Sequence, residues 1–519
     1  MQQRDQSGTS FAQGGLTRRE FIALAGSALV ASALTGCGGL SLSSKPSQLV
    51  VSRDEEIQLV DTQTNVGLIN YDLYRHIYDY LVDRDGDGKL IPALAESWEV
   101  SKDGLAWTFQ LKKGVKFHNG EDFNSQSVKV MMHRLRDENL PRSSPWLGLI
   151  DVVDTPADYV AIIRTKKPMG IMLTNLAMQG CELLPPKALA EKGAKLFDNH
   201  IGTGPYKFVE WVKNERFVME RWPDSWDKRA KIDKIVHRPI LEDSTRIAAL
   251  RAGDIDLADT VPSDQLKVLE ADGKFNFIRK NVWDVMTLGL KVSEPPFNNK
   301  FVRQAINYAV DREALVNKIL GGGRATAGWI AKGLLGFHPD LKVFPYDPEK
   351  AKALLKEGGY KGDKIAFIGP NSAFTKIVEI EQAILAQFAE SGLNIDFKLM
   401  DWSAFRTARA AGTYQMFITG GGMTDPSGPF NNRILTDQFN TGYKNEEMFN
   451  LIRAGASEVD QQKRTKIYQQ LQEMMYEDAA PFILLYEQEQ IVAAIKGLQG
   501  FTVDPVKIWN FRAAQVNRG

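Results

Sequence analysis

The sequence predicts an α/β protein with two lobes, and three observations lead to that prediction. The chain has 519 residues, which is well beyond what one compact core usually contains. Residues 90–120 and 151–168 alternate apolar and polar side chains, as the strands of half-buried hairpins do. Residues 364–419 follow the order strand, helix, strand, helix, strand, which implies right-handed crossovers in an α/β lobe.

The composition is that of an ordinary soluble globular protein, with 43% hydrophobic and 25% charged residues. The 64 Lys and Arg residues balance the 64 Asp and Glu residues, so the formal net charge is zero. This balance argues against nucleic acid as a partner, because phosphate binding needs an excess of basic side chains. The specificity of binding must therefore come from local groups.

The first 36 residues have the features of an export signal. Residues 17–22 form a twin-arginine motif built on Arg18 and Arg19. The apolar run that follows, over residues 21–34, is too short and too rich in Ala, Gly and Ser to be a permanent membrane span. We therefore expect the protein to be exported by the twin-arginine route.

The export signal ends in a lipobox. Residues 34–37 read Leu-Thr-Gly-Cys, and the thiol of Cys37 is the side chain there that can carry a diacylglycerol thioether. Two acyl chains on this thioether and a third on the new N-terminus would hold the protein at a bilayer, where one chain is marginal. Residues 1–36 are thus a predicted signal peptide, and residues 37–47 a Gly- and Ser-rich tether. The alternative is a plain signal peptide with an incidental cysteine.

The most informative stretch of the remaining chain is residues 90–135. A strand that contains Trp98 and a strand over residues 107–111 form a predicted hairpin. A third strand is predicted over residues 115–119, where an Asn-Gly pair then turns the chain. Asn124 or Ser125 is the predicted N-cap of the helix that follows.

This order of parts closely resembles the periplasmic solute-binding proteins of the peptide, nickel and opine class (family 5), which serve ABC importers. Residues 92–128 match the family pattern at this position nearly residue for residue. Two further landmarks are similar, the Gly-Thr-Gly-Pro-Tyr sequence at residues 202–206 and the stretch over residues 296–312.

The resemblance implies the type II-like fold of periplasmic binding proteins (class II, cluster C-like), with two lobes, a hinge and an extra N-terminal subdomain. Lobe I would contain residues 48–75, 200–288 and 497–519, the extra subdomain residues 76–199, and lobe II residues 289–496. The chain would cross between the lobes near residues 288–291 and 493–497. A receptor of this kind traps a small solute by closure of the lobes.

The glycine-rich loop after the strand at residues 414–419 is the main candidate binding site. A strand that ends in glycines exposes its backbone at the carboxyl edge of an α/β sheet, where ligands tend to bind. By resemblance to peptide-binding relatives, Asp425 in this loop would pair with an ammonium group of the solute. The alternative is an Asp-Pro turn residue without a ligand. Gly421 or Gly422 replaces the tryptophan of the relatives, which weakens the assignment to dipeptides.

Four other residues are candidate ligand contacts. Peptide-binding relatives use an arginine of the C-terminal lobe for the ligand carboxylate, and the matching residues 369–376 contain none. Asn371 in that stretch could bind a polyol or an amide, with helix capping as the alternative. Trp329, Trp509 and Asn510 are candidate walls of the cleft, and core packing is the alternative for both tryptophans. The missing arginine and tryptophan favour sugar-like or longer solutes over dipeptides.

The sequence predicts neither an enzyme nor a metal site. It contains no Gly-x-Ser-x-Gly, and none of its six histidines belongs to a His-Glu-x-x-His motif. Residues 83–88 imitate the first half of an EF-hand loop, but Leu94 stands where the bidentate Glu belongs, so a turn is the better interpretation than a calcium site. We expect no cofactor.

These observations predict a monomeric, lipid-anchored solute-binding protein on the periplasmic or cell-surface side of the membrane. Its expected partners are a peptide, opine or sugar-like solute, an ABC permease, and the bilayer through acylated Cys37. A periplasmic sensor or chaperone partner with the same fold is an alternative, and a hydrolase on this scaffold is a weaker one.

Overall fold

A computed structural model describes residues 47–58, 60–64, 68–138, 140 and 145–518. The twin-arginine motif, the lipobox and Cys37 lie outside the described residues. Pro46–Gly519 forms one compact unit. Within the described residues, no helix combines the length and the apolarity that crossing a membrane requires.

The strands of the described residues, in chain order, are β1 (Gln48–Ser52), β2 (Val82–Arg84), β3 (Leu90–Pro92), β4 (Ala95–Val100), β5 (Ala106–Leu111), β6 (Ile150–Ala157), β7 (Val160–Thr165), β8 (Tyr206–Val212), β9 (Arg216–Arg221), β10 (Lys234–His237), β11 (Leu257–Ala258), β12 (Phe275–Leu290), β13 (Arg324–Ala325), β14 (Ile365–Pro370), β15 (Ile395–Met400), β16 (Met416–Thr419), β17 (Phe482–Ile495), β18 (Leu498–Gln499), β19 (Thr502–Val503), β20 (Trp509–Asn510) and β21 (Gln515–Val516).

The α-helices are α1 (Leu68–Ile77), α2 (Ser125–Asp137), α3 (Met172–Leu176), α4 (Pro186–Lys192), α5 (Asp243–Ala252), α6 (Ser263–Asp272), α7 (Lys300–Tyr308), α8 (Arg312–Ala314), α9 (Pro348–Glu357), α10 (Ile377–Glu390), α11 (Trp402–Ala411), α12 (Ser427–Phe430), α13 (Glu446–Ser457) and α14 (Gln461–Asp478). Short 3₁₀ segments lie at Pro145–Leu149 and Gly193–Asp198, and π-helical segments at Leu315–Leu320 and Asn431–Leu435.

In the described part of the chain, eleven strands form one mixed sheet in the order β15-β14-β16-β12-β17-β11-β1-β10-β9-β8, with β13 paired to β17. The long strands β12 and β17 lie at its centre and pair antiparallel, from Phe275 opposite Ile495 to Gly289 opposite Phe482. On one flank β14 pairs in parallel with β15 and β16. On the other flank β1 pairs in parallel with β10 and β11. The two central strands therefore join two α/β lobes, as the sequence predicts.

The central strands change their neighbours halfway along. β11 pairs with β17 at Ala493 and Ala494, whereas β16 pairs with β12 over residues 287–290. Between these positions the β12–β17 register slips at residues 281–285, which is a bulge that bends a strand and loosens its ladder. The crossing between the lobes is centred on this bulge. The lobe boundaries drawn from the sequence stay predictions.

The apolar run over residues 482–486 predicts a short strand that ends at Tyr486. This bound is wrong, because β17 continues to Ile495. A Glu-Gln-Glu-Gln run interrupts the apolar pattern after Tyr486. In the structure, however, these side chains have partners on neighbouring elements: Glu487 pairs with Arg324, Glu489 with Arg279, and Gln490 with Asp259.

The extra subdomain is built on the antiparallel sheet β4-β5-β7-β6. The predicted hairpin β4–β5 is confirmed, and so is the N-cap of α2, where Asn124 accepts a hydrogen bond of 2.9 Å from the backbone N of Gln126. The predicted third strand is wrong. Residues 115–119 form an isolated bridge instead, Lys116 with Asp122, because the chain reverses at Gly120 with a φ of 89°.

The two lobes have separate hydrophobic cores. Lobe I and the subdomain share one core, which contains Tyr78, Phe109 and Trp509. In lobe II, Met286 and Leu288 of β12 face one core, whereas Val285 faces another. Successive side chains of a strand point to opposite faces, so lobe II is packed on both sides of its sheet. Because each lobe is stabilised by its own core, the lobes can move relative to each other about the crossing.

The Gly-Thr-Gly-Pro-Tyr sequence ties the strand region of lobe I to the end of α1. The backbone N of Gly204 donates to the carbonyl of Ile77 at 2.8 Å, and the carbonyl of Gly202 accepts from the backbone N of His118 at 2.9 Å. A Cβ atom on Gly202 would lie 2.1 Å from the Ile77 oxygen. The glycine is therefore required for a close backbone approach, and the motif is structural.

Candidate functional site

Asp284 lies at the bulge of β12 and connects both lobes. Its Oδ1 accepts a hydrogen bond of 2.8 Å from the backbone N of Gly421, in the loop that follows β16 of lobe II. Its Oδ2 lies 3.3 Å from Nζ of Lys507, in the C-terminal segment that belongs to lobe I. A buried carboxylate is stable here because it receives a donor from each side.

The glycine-rich loop lies directly on the crossing strand. Met423 N donates to the carbonyl of Trp283 at 2.8 Å, so the loop backbone is held against β12. A Cβ atom on Gly420 would lie 2.5 Å from Sδ of Met286, and one on Gly421 would lie 2.1 Å from Nη2 of Arg433. The glycines therefore bring backbone and guanidinium together at the carboxyl end of β16, where ligands bind in α/β sheets.

Two arginines of lobe II contact this loop and the end of the strand before it. Arg433 is 8% exposed, and its Nη2 donates to the carbonyl of Gly420 at 3.3 Å. Arg409 of α11 donates from Nη1 to Oγ1 of Thr419 at 2.7 Å. Burial lowers the pKa of Arg433 to about 10, and burial together with the charge of Arg433 lowers the pKa of Arg409 to about 10. Both pKa values are lowered chiefly because burial penalises the charged guanidinium, and the charge of Asp284 partly offsets this for Arg433.

On the lobe I side of the Asp284–Lys507 contact, the central residue is Arg53. Its guanidinium forms ion pairs with Asp72 and, at 2.8 Å, with Asp259, and it lies 4.8 Å from the ring centroid of Trp509. Its Nη1 also donates to the carbonyl of Lys507 at 3.2 Å. The same Lys507 reaches Asp284 with its side chain, so a continuous polar path crosses from lobe I to lobe II.

The structure places Trp329 and Trp509 on opposite sides of this path. Trp329 is 1% exposed and lies against Phe430 and Phe482, while the guanidinium of Arg433 lies 5.5 Å from its ring centroid. Trp509 is fully buried on the lobe I side. Both tryptophans are packed among other residues, and each has an arginine over its ring. Their role as walls of the cleft stays a prediction.

The two asparagines that the sequence predicts as ligand contacts each make a hydrogen bond within the protein. Asn371 is exposed at the end of β14, and its backbone N donates to the carbonyl of Met400 at 2.8 Å. Asn510 is half-buried in β20, and its Oδ1 accepts from the backbone N of Arg512 at 3.0 Å. The side chain of Asn371 is thus the more accessible of the two for a solute.

Asp425 is 8% exposed and has several protein partners. Arg464 of α14 binds it through both oxygens, with Nη1 to Oδ2 at 2.7 Å and Nη2 to Oδ1 at 2.6 Å. Oδ1 also accepts from the backbone N and Oγ of Ser427. An ammonium group of a solute would therefore have to share this carboxylate with Arg464. The role of Asp425 in ligand binding stays a prediction.

Asp425 also lies where lobe II touches the subdomain. Its Oδ2 accepts a hydrogen bond of 3.4 Å from Oγ1 of Thr174 in α3. Nearby, the backbone N of Gly170 donates to the carbonyl of Ala456 at 3.0 Å, and a Cβ atom on Gly170 would lie 2.1 Å from the carbonyl oxygen of Glu458. This edge of the cleft is therefore closed by direct contact between the lobes.

In the part of the chain that the structure describes, no cluster of three or more His, Cys, Asp or Glu side chains is arranged to hold a metal ion. The carboxylates of the loop at residues 83–88 take protein partners: Asp83 binds Arg75, Asp85 accepts from backbone N atoms, and Asp87 binds Lys280.

Several residues of this site were missed by the sequence analysis. Asp284 and Lys507 lie in stretches without a recognisable motif, and Arg433 and Arg409 stand on helices whose surface arginines look alike in the sequence. Outside this site, the buried Glu381 was also missed, because it lies within the amphipathic helix α10. A charged residue on the apolar face of that helix was the available signal.

Comparison with known proteins identifies the family. The chain matches the family described as "Bacterial extracellular solute-binding proteins, family 5 Middle" over residues 89–443. The protein belongs to this family. It is therefore an extracytoplasmic solute-binding component of an ABC importer, with a small solute and a permease as partners, and not an enzyme.

Individual relatives agree with this assignment. The glutathione-binding protein GsiB of Pectobacterium atrosepticum is 30% identical over 462 residues, which cover 85% of this chain and 89% of the relative. The solved structure of DppA from Helicobacter pylori in complex with the peptide STSA is 25% identical with a TM-score of 0.73, over 91% of this chain and 99% of that one. The structure of AgaA from A. tumefaciens R10 in complex with agropinic acid is 26% identical with a TM-score of 0.71, over 91% and 99%.

Replacing Asp425 by Ala is expected to lower the free energy of unfolding by about 3 kcal/mol, because Arg464 would be left buried without its counter-charge. Chemical denaturation measures this loss. Asp396→Ala, which removes an exposed carboxylate of β15, serves as the matched control and should change the stability by less than about 0.5 kcal/mol. Unchanged stability of the Asp425 variant with lost solute affinity would instead assign the carboxylate to the ligand.

Glu381 gives the stability a distinct pH dependence. It is fully buried, both of its carboxyl oxygens have no hydrogen-bond partner among the described residues, and burial raises its pKa from 4.5 to about 8. Between pH 4.5 and about 8, the folded protein therefore keeps a proton on Glu381 that the unfolded chain releases. Glu381 favours folding at low pH, and this contribution to stability is lost as the pH rises toward 8.

Glu381→Gln is therefore expected to stabilise the protein relative to the wild type by an amount that grows between pH 4.5 and 8, at no more than about 1.4 kcal/mol per pH unit. Denaturation curves at several pH values measure it. The exposed Glu379→Gln on the same helix should show no such trend. A constant difference across this range would mean that Glu381 is ionised in the folded protein.

Proposed function

We propose that this protein is the substrate-binding lipoprotein of an ABC importer that captures a peptide-like or opine-like solute by closure of its two lobes and delivers it to the membrane permease. The observation that carries the proposal is the polar path through Asp284. It connects the Gly421 loop of lobe II with Lys507 of lobe I at the bulge of the crossing strand. A solute that binds next to this path contacts both lobes.

A solute that contacts both lobes can favour closure of the two lobes. A ligand shifts an equilibrium between open and closed forms by its difference in affinity for the two. The lobes have separate cores, and the bulged crossing between them is the point at which they can bend. Contacts such as Gly170 with Ala456 are available in the closed arrangement without any solute. The solute then adds the contacts that make closure favourable.

The solute class is inferred from the relatives and from the site. One relative is named for glutathione, one solved structure holds a peptide, and another holds agropinic acid. These are small, polar compounds of amino-acid origin. The cations around the Gly421 loop fit such solutes better than neutral sugars. The predicted contacts Asp425, Trp329, Asn371, Trp509 and Asn510 form part of the proposal.

A screen of the purified protein tests the function. Thermal unfolding would be followed with reduced glutathione, Ala-Ala-Ala, agropinic acid, maltotriose and a nickel–histidine complex. At a ligand concentration of one hundred times Kd, the free energy of unfolding rises by about 2.7 kcal/mol, which gives a clear increase in Tm. We expect a peptide or the opine to raise the Tm and maltotriose to leave it unchanged. No shift with any amino-acid-derived solute would contradict the proposal.

The membrane anchor is a separate part of the proposal. The lipobox at Cys37, preceded by the Arg18–Arg19 motif, supports export by the twin-arginine route and attachment through acyl chains. The tether at residues 37–47 would let a monomeric receptor reach its permease from the bilayer surface.

Cys37→Ala is expected to move the protein from the membrane fraction to the soluble fraction of cells, because acylation of the thiol is lost. Fractionation with immunodetection measures the distribution. The chain contains one other cysteine, Cys181, which is buried, and Cys181→Ala is therefore a matched control that should remain with the membrane. Retention of the Cys37 variant at the membrane would contradict lipidation.

A further inference from the structure

A second contact between the lobes lies outside the crossing strands, at the segment of residues 455–460 that joins α13 to α14 in lobe II. The backbone N of Gly170 in the subdomain donates to the carbonyl of Ala456 in this segment at 3.0 Å. Val459 of the segment is half-buried and packs against the core that lobe I and the subdomain share. The segment thus supplies a hydrogen-bond acceptor and an apolar side chain to the opposite lobe.

Gly170 is buried at this contact, and its lack of a side chain sets how closely the lobes approach. The three heavy atoms nearest to a Cβ atom there would be the carbonyl oxygen of Glu458 at 2.1 Å, Nε of Arg464 at 2.9 Å and the carbonyl carbon of Glu458 at 3.1 Å. All three belong to lobe II. A side chain at this position would therefore collide with lobe II in the closed arrangement.

Within its own subdomain, Gly170 has room for a side chain. Apart from its neighbours in the chain, no atom of the subdomain would lie as near to the added Cβ as these three atoms of lobe II. The φ of Gly170 also lies outside the positive range that favours glycine, so the backbone accepts another residue. The requirement for glycine at this position therefore comes from the opposite lobe.

Arg464 connects this contact to the glycine-rich loop of the candidate site. Its Nε donates to the carbonyl of Gly455 at 2.7 Å, and its two Nη atoms bind the carboxylate of Asp425. Asp425 accepts in turn from Oγ1 of Thr174 in the subdomain at 3.4 Å. Because one side chain binds both the segment and the loop, we expect the two to approach the subdomain together.

These contacts favour closure through the protein alone. Each lobe has its own core, so separating the contact unfolds neither lobe. What separation removes is a backbone hydrogen bond and the burial of part of a valine side chain, and both contributions are small. A contribution of this size shifts an equilibrium between open and closed forms without making closure irreversible.

We propose that Gly170 and the segment at residues 455–460 form a latch that favours the closed form, and that the absence of a side chain at Gly170 permits closure. The inference rests on the proposed function, since closure serves to trap the solute. It adds a contribution to affinity that is independent of the solute. A residue that contacts the solute changes the affinity for some solutes only, whereas the latch changes the affinity for all of them by the same factor.

Spin labels on the two lobes measure the latch without any solute. The labels are attached to Lys187→Cys in α4 of the subdomain and to Arg453→Cys in α13 of lobe II, which are both exposed positions. The chain also carries Cys37→Ala, and the buried Cys181 stays unlabelled. Pulsed electron spin resonance then gives the distribution of distances between the labels.

The labelled protein with Gly170 is expected to show a short-distance population that Gly170→Ala reduces by about tenfold, because the added methyl group overlaps the carbonyl of Glu458. Val459→Ser should reduce this population by a smaller factor. The matched control is Gly148→Ala, which adds a methyl group to the same subdomain with no neighbouring heavy atom within 4 Å and should leave the population unchanged. Equal distributions with Gly170 and with Gly170→Ala would overturn the proposal, and so would long distances only in the protein with Gly170.

Thermal unfolding distinguishes a latch from a purely structural role. Gly170→Ala is expected to melt no lower than the wild type, since the atoms that crowd this position belong to the other lobe. A lower Tm with an unchanged distance distribution would show that Gly170 is needed for packing within the subdomain, and it would overturn the latch.

Titration with Ala-Ala-Ala, reduced glutathione and agropinic acid separates the latch from the function on which it rests. For each probe that the wild type binds, Gly170→Ala is expected to weaken the affinity by the same factor of about ten, and Gly148→Ala to leave it unchanged. An unchanged affinity, or factors that differ among the probes, would overturn a latch that acts independently of the solute. If the wild type binds none of the probes, the proposed solute class fails, and the distance distributions still decide whether the latch exists.

Discussion

The antiparallel pairing of β12 with β17 is the constraint on which the rest of the structure depends. The two strands span both lobes, and the other strands of each lobe add to different parts of them. Because the two crossings are neighbours in one ladder, they act as a single axis, and the bulge at residues 281–285 is the position where that ladder is weakest. We therefore expect any bending between the lobes to be centred there.

Polar residues can occupy this crossing because their charges are compensated by residues far away in the chain. Glu487 binds Arg324, Glu489 binds Arg279, and Asp284 binds Lys507. A buried charge without such a partner would destabilise the central strands by several kcal/mol. The same compensation places Asp284 against the glycine-rich loop of lobe II. The interactions that hold the crossing together and those that shape the solute site thus share residues.

Two buried arginines of lobe II differ in the partners that compensate their charges. Arg464 is 1% exposed at its side chain and has a bidentate carboxylate partner in Asp425. Arg433 is nearly as buried but contacts a carbonyl and aromatic rings. Burial alone is therefore uninformative about function. The family assignment defines the type of protein, and the partners of each buried charge distinguish these two arginines.

The sequence by itself determined the lobed α/β fold, the β4–β5 hairpin and the Asn124 cap, because periodicity, turns and caps act between residues close in the chain. Tertiary structure alone decided that β17 runs past Tyr486, and it buried Trp329 and Trp509. It also gave Asp425 a partner 39 residues away, and it left Nη1 of Arg433 without a hydrogen-bond partner among the described residues. Compensation of a buried charge depends on residues that folding brings together, and no local pattern records it.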